Sequence, residues 1–275
     1  MSFIDDYVMI DENDDAGTQW FHYNVGYTGD FTDVLFAEKV ASLIVETRCP
    51  PGLFNKWTEA FEGSLELEDI DKEELGVYLR PSIGSPDVPA TNNELQGAIA
   101  EYLWYEIVRN YQTDETLVDI PKPSLRVTET GGDGLVVYQS NLDTYIFQLW
   151  EVKKHAQLSA ATTKVTRASR QLNSNGAEYL AKLSKVGQDR DHEFPGLSAF
   201  YAEIVRKWIE STEDARAGVS VSKDERSSIS SNPVAIMRRE LPTMTGEDQL
   251  SALIISVPNF ADFCVQVREA LWKDI

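Results

Sequence analysis

Residues Gly131–His155, GGDGLVVYQSNLDTYIFQLWEVKKH, read as two β-strands joined by a short turn. In the second strand Phe147 and Leu149 alternate with Gln148, Trp150 and Val152. Apolar side chains therefore point to both faces, and the strand is expected to be covered on both. Glu151 and Lys153 interrupt this pattern. Side chains two apart in a strand share a face, so the two should stand together at the rim of a buried sheet. Asp133 opens the partner strand. If Ser140–Asp143 makes the turn, Gln139 pairs with Thr144, and Asp133 falls opposite Trp150 or Glu151. A one-residue shift decides which face it takes. Gly131, Gly132 and Gly134 mark a bulge or a close backbone approach, with room for a substrate backbone.

Upstream, Asn92–Gln112 is the clearest helix, with Asn92 or Asn93 as its cap. Leu95, Ala98, Ile99, Tyr102 and Leu103 form one apolar stripe at i, i+3, i+4, i+7 and i+8. Glu101 lies at the edge of that stripe, and Glu94 lies seven residues earlier on the same edge. Trp104, Tyr105 and Tyr111 read as core packing.

The polar, basic stretch after His155 is expected to be helical in pieces. Lys164, Arg167 and Arg170, spaced by three, share a helix face that either grips a nucleic-acid backbone or is simply solvated. Lys154 and His155 either touch phosphate or end the strand in solvent. Further on, Leu197–Glu210 and the segment from Phe260 read as helices, and "AGVSVSKDERSS" and "SALIISVPN" as strands. Near the start, Asp33–Arg48 has helical spacing and is stopped by "CPPG". His22 and His192 have no partner pattern and read as structural. The acidic, then Pro-, Ser- and Gly-rich stretch Leu67–Pro89 marks the best boundary. It divides an acidic N-terminal region (1–90) from a core (91–275). The order of elements in the second half fits an α/β architecture with a mixed central sheet flanked by helices.

The chain of 275 residues carries a formal charge of −20. Residues 1–94 hold 20 Asp and Glu against 5 Lys and Arg, whereas residues 150–190 hold 8 Lys and Arg against 3 Asp and Glu. An acidic surface repels nucleic acid at long range, so a basic patch must act locally or a partner must deliver a polyanion. No apolar run reaches the length of a membrane span. The acidic start resembles neither a signal nor a transit peptide. Two distant cysteines, Cys49 and Cys264, lack metal-ligand spacing and fit a reducing compartment. A cytoplasmic location is expected.

Two adjacent buried carboxylates repel and are stable when a cation stands between them. Mg²⁺ suits such a site because it takes hard oxygen ligands and keeps its waters, and Mn²⁺ can substitute. A neighbouring lysine can orient or deprotonate one of those waters, which is the chemistry of phosphodiester hydrolysis.

"GxD" on one strand, followed about 18 residues later by "ExK" on the next, resembles the core of the PD-(D/E)XK nuclease superfamily. The Gly97-x-x-x-Glu101 pattern on the preceding helix resembles that of archaeal Holliday-junction resolvases. The resemblance covers about residues 92–155 and departs from the family name in one place, where Gly132 replaces the proline. It implies a restriction-endonuclease-like core. Asp133 and Glu151 would be metal ligands, Glu101 a third carboxylate acting directly or through water, and Lys153 the residue activating water. The implied substrate is DNA, with RNA not excluded by any residue. Length, the acidic N-terminal region, "GGDGL" and "WEVKKH" are also similar to the small nuclease subunit of Hachiman-type anti-phage systems. That resemblance implies a superfamily 2 helicase partner; separately, the charge of −20 leads to the expectation of a nuclease weak alone and held or activated by a partner through the N-terminal region. Two other readings stay open. One is a non-catalytic nuclease-fold subunit serving as a regulatory or DNA-clamp module. The other is an unrelated α/β protein with a fortuitous motif.

Overall fold

A computed structural model describes residues 8–15, 18–25, 33–85, 87–110, 115–124, 133–141, 144–187 and 194–273. The chain is α/β, built on a mixed sheet flanked by helices. Its strands are β1 (Val8–Asp15), β2 (Thr18–Val25), β3 (Thr116–Asp119), β4 (Gly134–Gln139), β5 (Tyr145–His155), β6 (Ala215–Asp224) and β7 (Leu250–Val257). They lie in the order β1-β2-β7-β6-β5-β4-β3. The four central strands β2, β7, β6 and β5 run parallel, and β1, β4 and β3 are antiparallel to their neighbours.

The helices are α1 (Asp33–Arg48), α2 (Pro51–Phe61), α3 (Asp69–Ile83), α4 (Asn92–Asn110), α5 (Thr162–Gly187), α6 (Leu197–Glu210), α7 (Pro233–Glu240) and α8 (Phe260–Leu271). Helices α1–α4 and α8 share one buried cluster with Val136, Trp150 and Val152. Helices α5–α7 share the other with Leu135, Val137, Phe147 and Leu149. The strand alternation read from the sequence therefore separates two cores, one on each face of the sheet. The first cluster joins Phe36, Val40 and Leu53 to Phe260 and Leu271, so both ends of the chain contribute to it.

Three local expectations change. The Leu67–Pro89 stretch is mostly the helix α3. Leu75, Leu79 and Ile83, at i, i+4 and i+8, are fully buried and hold it helical despite Pro81 in its last turn. The segment after His155 forms one continuous helix rather than pieces. Val165, Ala168, Leu172 and Leu180 are fully buried along it, and Gly176 lets Trp208 of α6 lie against its backbone. Helix α4 is capped by Thr91, not by Asn92 or Asn93. The strand-like "LRVTE", His192 and Tyr111 lie outside the described residues. No helix among the described residues is long and apolar enough to cross a membrane.

Two glycines bring α4 close to the sheet. A side chain at Gly134 would collide with the Trp104 indole, and one at Gly218 with that of Trp150. The two indoles pack at 6.0 Å between centroids with their planes at 53°. Gly134 thus makes room for Trp104 of α4 rather than for a substrate backbone. Trp104 and Tyr105 are buried, as core packing requires.

Candidate active site

The β4–β5 ladder pairs Gln139 with Tyr145 and Gly134 with Trp150, one residue on from the Gln139–Thr144 pairing expected. Thr144 instead closes the turn, its carbonyl accepting from the Ser140 N–H at 2.9 Å. Continued by one residue, this register sets Asp133 opposite Glu151. Asp133 stands just beyond the end of β4, and Glu151 and Lys153, two apart in β5, share the face of Phe147 and Leu149. That side carries α5 and α6. Lys154, one residue on, belongs to the α4 side.

Asp133 turns one carboxylate oxygen, Oδ2, onto the Val152 N–H at 2.6 Å. Glu151 is only 3% exposed, and the Lys153 ammonium is paired with its Oε1. Its other oxygen, Oε2, is buried with no hydrogen-bond partner.

Glu101 comes from α4, which packs on the opposite face of the sheet, and it feels the charges of Asp133, Lys153 and Glu151. It lies one turn before Trp104, whose ring is seated on Gly134, the neighbour of Asp133. Burial raises the Glu101 carboxyl well above its ordinary range; Asp133 and Glu151 add to the rise, and Arg48 and Lys153 oppose it. Burial, then the Glu151 charge, push Asp133 up to about 7. Glu151 is itself raised, chiefly by burial and against the pull of Lys153. Burial is the main cause of all three shifts, and neighbouring carboxylates add to it for Glu101 and Asp133.

Glu94 is engaged elsewhere. Its Oε2 accepts from the Thr91 backbone N–H at 3.0 Å and from the Thr91 hydroxyl at 2.7 Å, and its own N–H donates to Thr91 Oγ1 at 3.3 Å. This reciprocal pair is a capping box. Of the two glutamates left open by the sequence, Glu101 is the one brought to Asp133.

Arg48, the last residue of α1, had not been anticipated. Its guanidinium donates to the Tyr78 carbonyl at 3.0 Å, to the Ser124 carbonyl at 2.9 Å and to the Tyr102 hydroxyl. It binds α1, α3, α4 and the segment after β3 together, with its charge felt by Glu101. The sequence gives no local signal for this, since a basic residue at a helix C-terminus is ordinarily explained by the helix dipole.

The basic residues are dispersed. Lys154 donates to Gln96 Oε1 of α4 at 2.8 Å. Its ammonium is held below its ordinary range by burial, then by Lys164. Arg170 pairs with Glu240 at 2.9 Å. Arg167 is exposed on the same α5 groove as Arg170. His155 is buried, its Nε2 2.7 Å from the Ser159 carbonyl, and His22 Nε2 lies 2.7 Å from Ser256 Oγ. Cys49 and Cys264 are free and buried, and burial pushes both thiols up.

Among the described residues, no group of three or more His, Cys, Asp or Glu side chains is arranged to hold a metal ion. The donor set nevertheless suits a hard cation. Three carboxylates face two basic groups, and Glu151 Oε2 is buried without a partner. Comparison with family models and with curated proteins returns no match to this chain.

Proposed function

We propose that the chain is a metal-dependent nuclease of the PD-(D/E)XK type that hydrolyses phosphodiester bonds in DNA. One observation carries this reading: Asp133, Glu151 and Lys153 come together at adjacent strand ends, and α4 adds Glu101. The parallel strands around β5, with helices on both faces, support a restriction-endonuclease-like core. Mg²⁺, or Mn²⁺ in its place, would be held by Asp133 and Glu151, with Glu101 contributing directly or through water. Bound there, such an ion supplies a water of lowered pKa and neutralises charge on a phosphoryl oxygen.

The residues of the chain do the positioning. The Val152 N–H fixes the Asp133 carboxylate. Trp104 seated on Gly134 sets the depth of Glu101. Lys153, which shares a face with Glu151, orients or deprotonates the attacking water. The strongly acidic N-terminal region supports docking to a protein partner, and the Hachiman-like pattern suggests a superfamily 2 helicase.

A second reading, a non-catalytic clamp, is favoured by the Lys153–Glu151 ion pair, because the ammonium occupies a carboxylate oxygen otherwise open to a cation. Cleavage of plasmid and linear DNA in Mg²⁺, Mn²⁺ or EDTA separates the two. Wild type is compared with Glu151→Ala and Lys153→Ala, alone and with any copurifying partner. Metal-dependent cutting lost in both variants establishes the nuclease. Cutting that survives both points to another protein or site. Absence of cutting in every form, partner included, favours the clamp.

A further inference from the structure

In a chain of net charge −20, helix α5 is an exception. It carries Lys164, Arg167, Arg170, Lys182 and Lys185 against Glu178 alone, and Glu178 is tied to Lys182 at 2.8 Å. From Thr162 to Ala177 the helix holds no acidic side chain. An open groove follows its outer face, lined by Thr163, Thr166, Arg167, Arg170, Ser174 and Asn175. At a rise of about 1.5 Å per residue, that lining extends for about 18 Å. Phosphates of one strand recur about every 3.4 Å along a duplex axis, so the groove spans about five of them.

Helix α7 packs against α5 and adds two arginines. Glu240 is shared between Arg170 at 2.9 Å and Arg239 at 3.3 Å, so one carboxylate serves two guanidinium groups. Arg238 has no such relief. Its Nε and Nη2 are both buried without a hydrogen-bond partner among the described residues. A guanidinium is always charged, and leaving its donors unmet in the interior is costly unless an anion meets them. Lys164 acts electrostatically on Lys154 at the end of β5, and α5 covers the sheet face to which Glu151 and Lys153 belong.

We infer that the outer face of α5, with Arg167 as its principal cation, is the track on which a nucleic-acid duplex lays its phosphodiester backbone as it reaches the Asp133–Glu151 site. The inference rests on the nuclease reading and names how that site holds its substrate. Thr163, Thr166, Ser174 and Asn175 supply neutral donors to phosphate oxygens. Arg170 and Arg239, already sharing Glu240, contribute less. Such contacts carry no base information, so binding is independent of sequence.

Fluorescence anisotropy with a labelled duplex of about 20 base pairs in EDTA, from about 50 mM salt upward, tests this without cleavage. Arg167→Glu is expected to weaken binding at least about fivefold, and Arg167→Glu/Arg170→Glu at least about tenfold. Each lost contact should reduce the slope of log affinity against log salt by about one. Arg167 is exposed, so its single variant remains informative if the double variant fails to fold. Arg206→Glu on α6, away from the groove, should bind as wild type. Parallel titrations with duplex DNA and duplex RNA tell which nucleic acid the track takes, and binding of either supports it. No binding by wild type, unchanged affinity and salt slope in Arg167→Glu, or equal weakening by Arg206→Glu overturns the inference. Cleavage that persists while Arg167→Glu binds normally leaves the nuclease standing and removes the track. Intact, arginine-dependent binding without cleavage does the reverse.

Discussion

The Asp133 carboxylate accepts a hydrogen bond of 2.6 Å from the backbone N–H of Val152, the residue between Glu151 and Lys153. The aspartate of one strand is thereby locked to the midpoint of the Glu-x-Lys segment of the next. Asp133→Asn keeps an acceptor oxygen there and removes a charge that Glu151 repels. Metal-dependent cleavage should fall at least about 100-fold, with stability equal to or above wild type in EDTA. Asp133→Ala also strands the N–H and should cost about 1–3 kcal/mol in urea denaturation. Equal destabilisation by both substitutions would show that the charge, not the hydrogen bond, holds the strand ends.

Glu94 and Glu101 offer a discriminating pair. Glu94→Gln weakens only the capping box with Thr91 and should leave cleavage within about twofold of wild type. Glu101→Gln should lower cleavage at least about tenfold and leave helicity by circular dichroism unchanged. The opposite ranking would move the helix carboxylate of the site to Glu94.

Arg48 joins four segments through three side-chain bonds. Arg48→Met should cost about 1.5–3 kcal/mol, the range for hydrogen bonds from a charged donor. Arg48→Lys should recover only part, because one ammonium cannot reproduce the planar fork. Denaturant midpoints measure this, and full rescue by lysine would reduce the clamp to a charge effect on Glu101.

Asp224 ends β6 and accepts from Arg226 through Nε at 2.8 Å, Nη2 at 3.0 Å and the backbone N–H at 3.0 Å. These bonds, with the Arg226 side chain foremost, hold the Asp224 carboxyl below its ordinary value. Its folded pKa thus lies below its unfolded one. The stabilisation is fully present above the unfolded value, about 3.9, and is lost as pH falls through the folded one. Asp224→Asn should therefore lower the thermal midpoint clearly at pH 7, and by progressively less as pH falls below about 3.9. An equal drop across that range would mean that the geometry of the loop, not the charge, matters.

Much of this was legible from residue order, and for identifiable reasons. The period of two in Phe147–Val152 is a property of the extended backbone, so two covered faces and a shared face for Glu151 and Lys153 followed without any tertiary information. The stripe on α4 followed from the period of 3.6 in the same way. Helix α3 was missed because Pro81 and a run of acids argue locally against a helix. Its stability comes from Leu75, Leu79 and Ile83 meeting a core assembled from distant segments.

What the order of residues determined by itself was the set of candidates: a carboxylate at the start of one strand, a Glu-x-Lys pair at the end of the next, two glutamates on one helix edge and a basic stretch afterwards. Tertiary structure decided among them. The register that pairs Gly134 with Trp150, the bond from Val152 to Asp133, the contacts of Arg48 with Tyr78, Tyr102 and Ser124 and the sharing of Glu240 by two arginines all depend on packing between segments apart in sequence. Backbone periodicity is local and readable in sequence; the contacts that choose one register or partner are made only when the chain has folded.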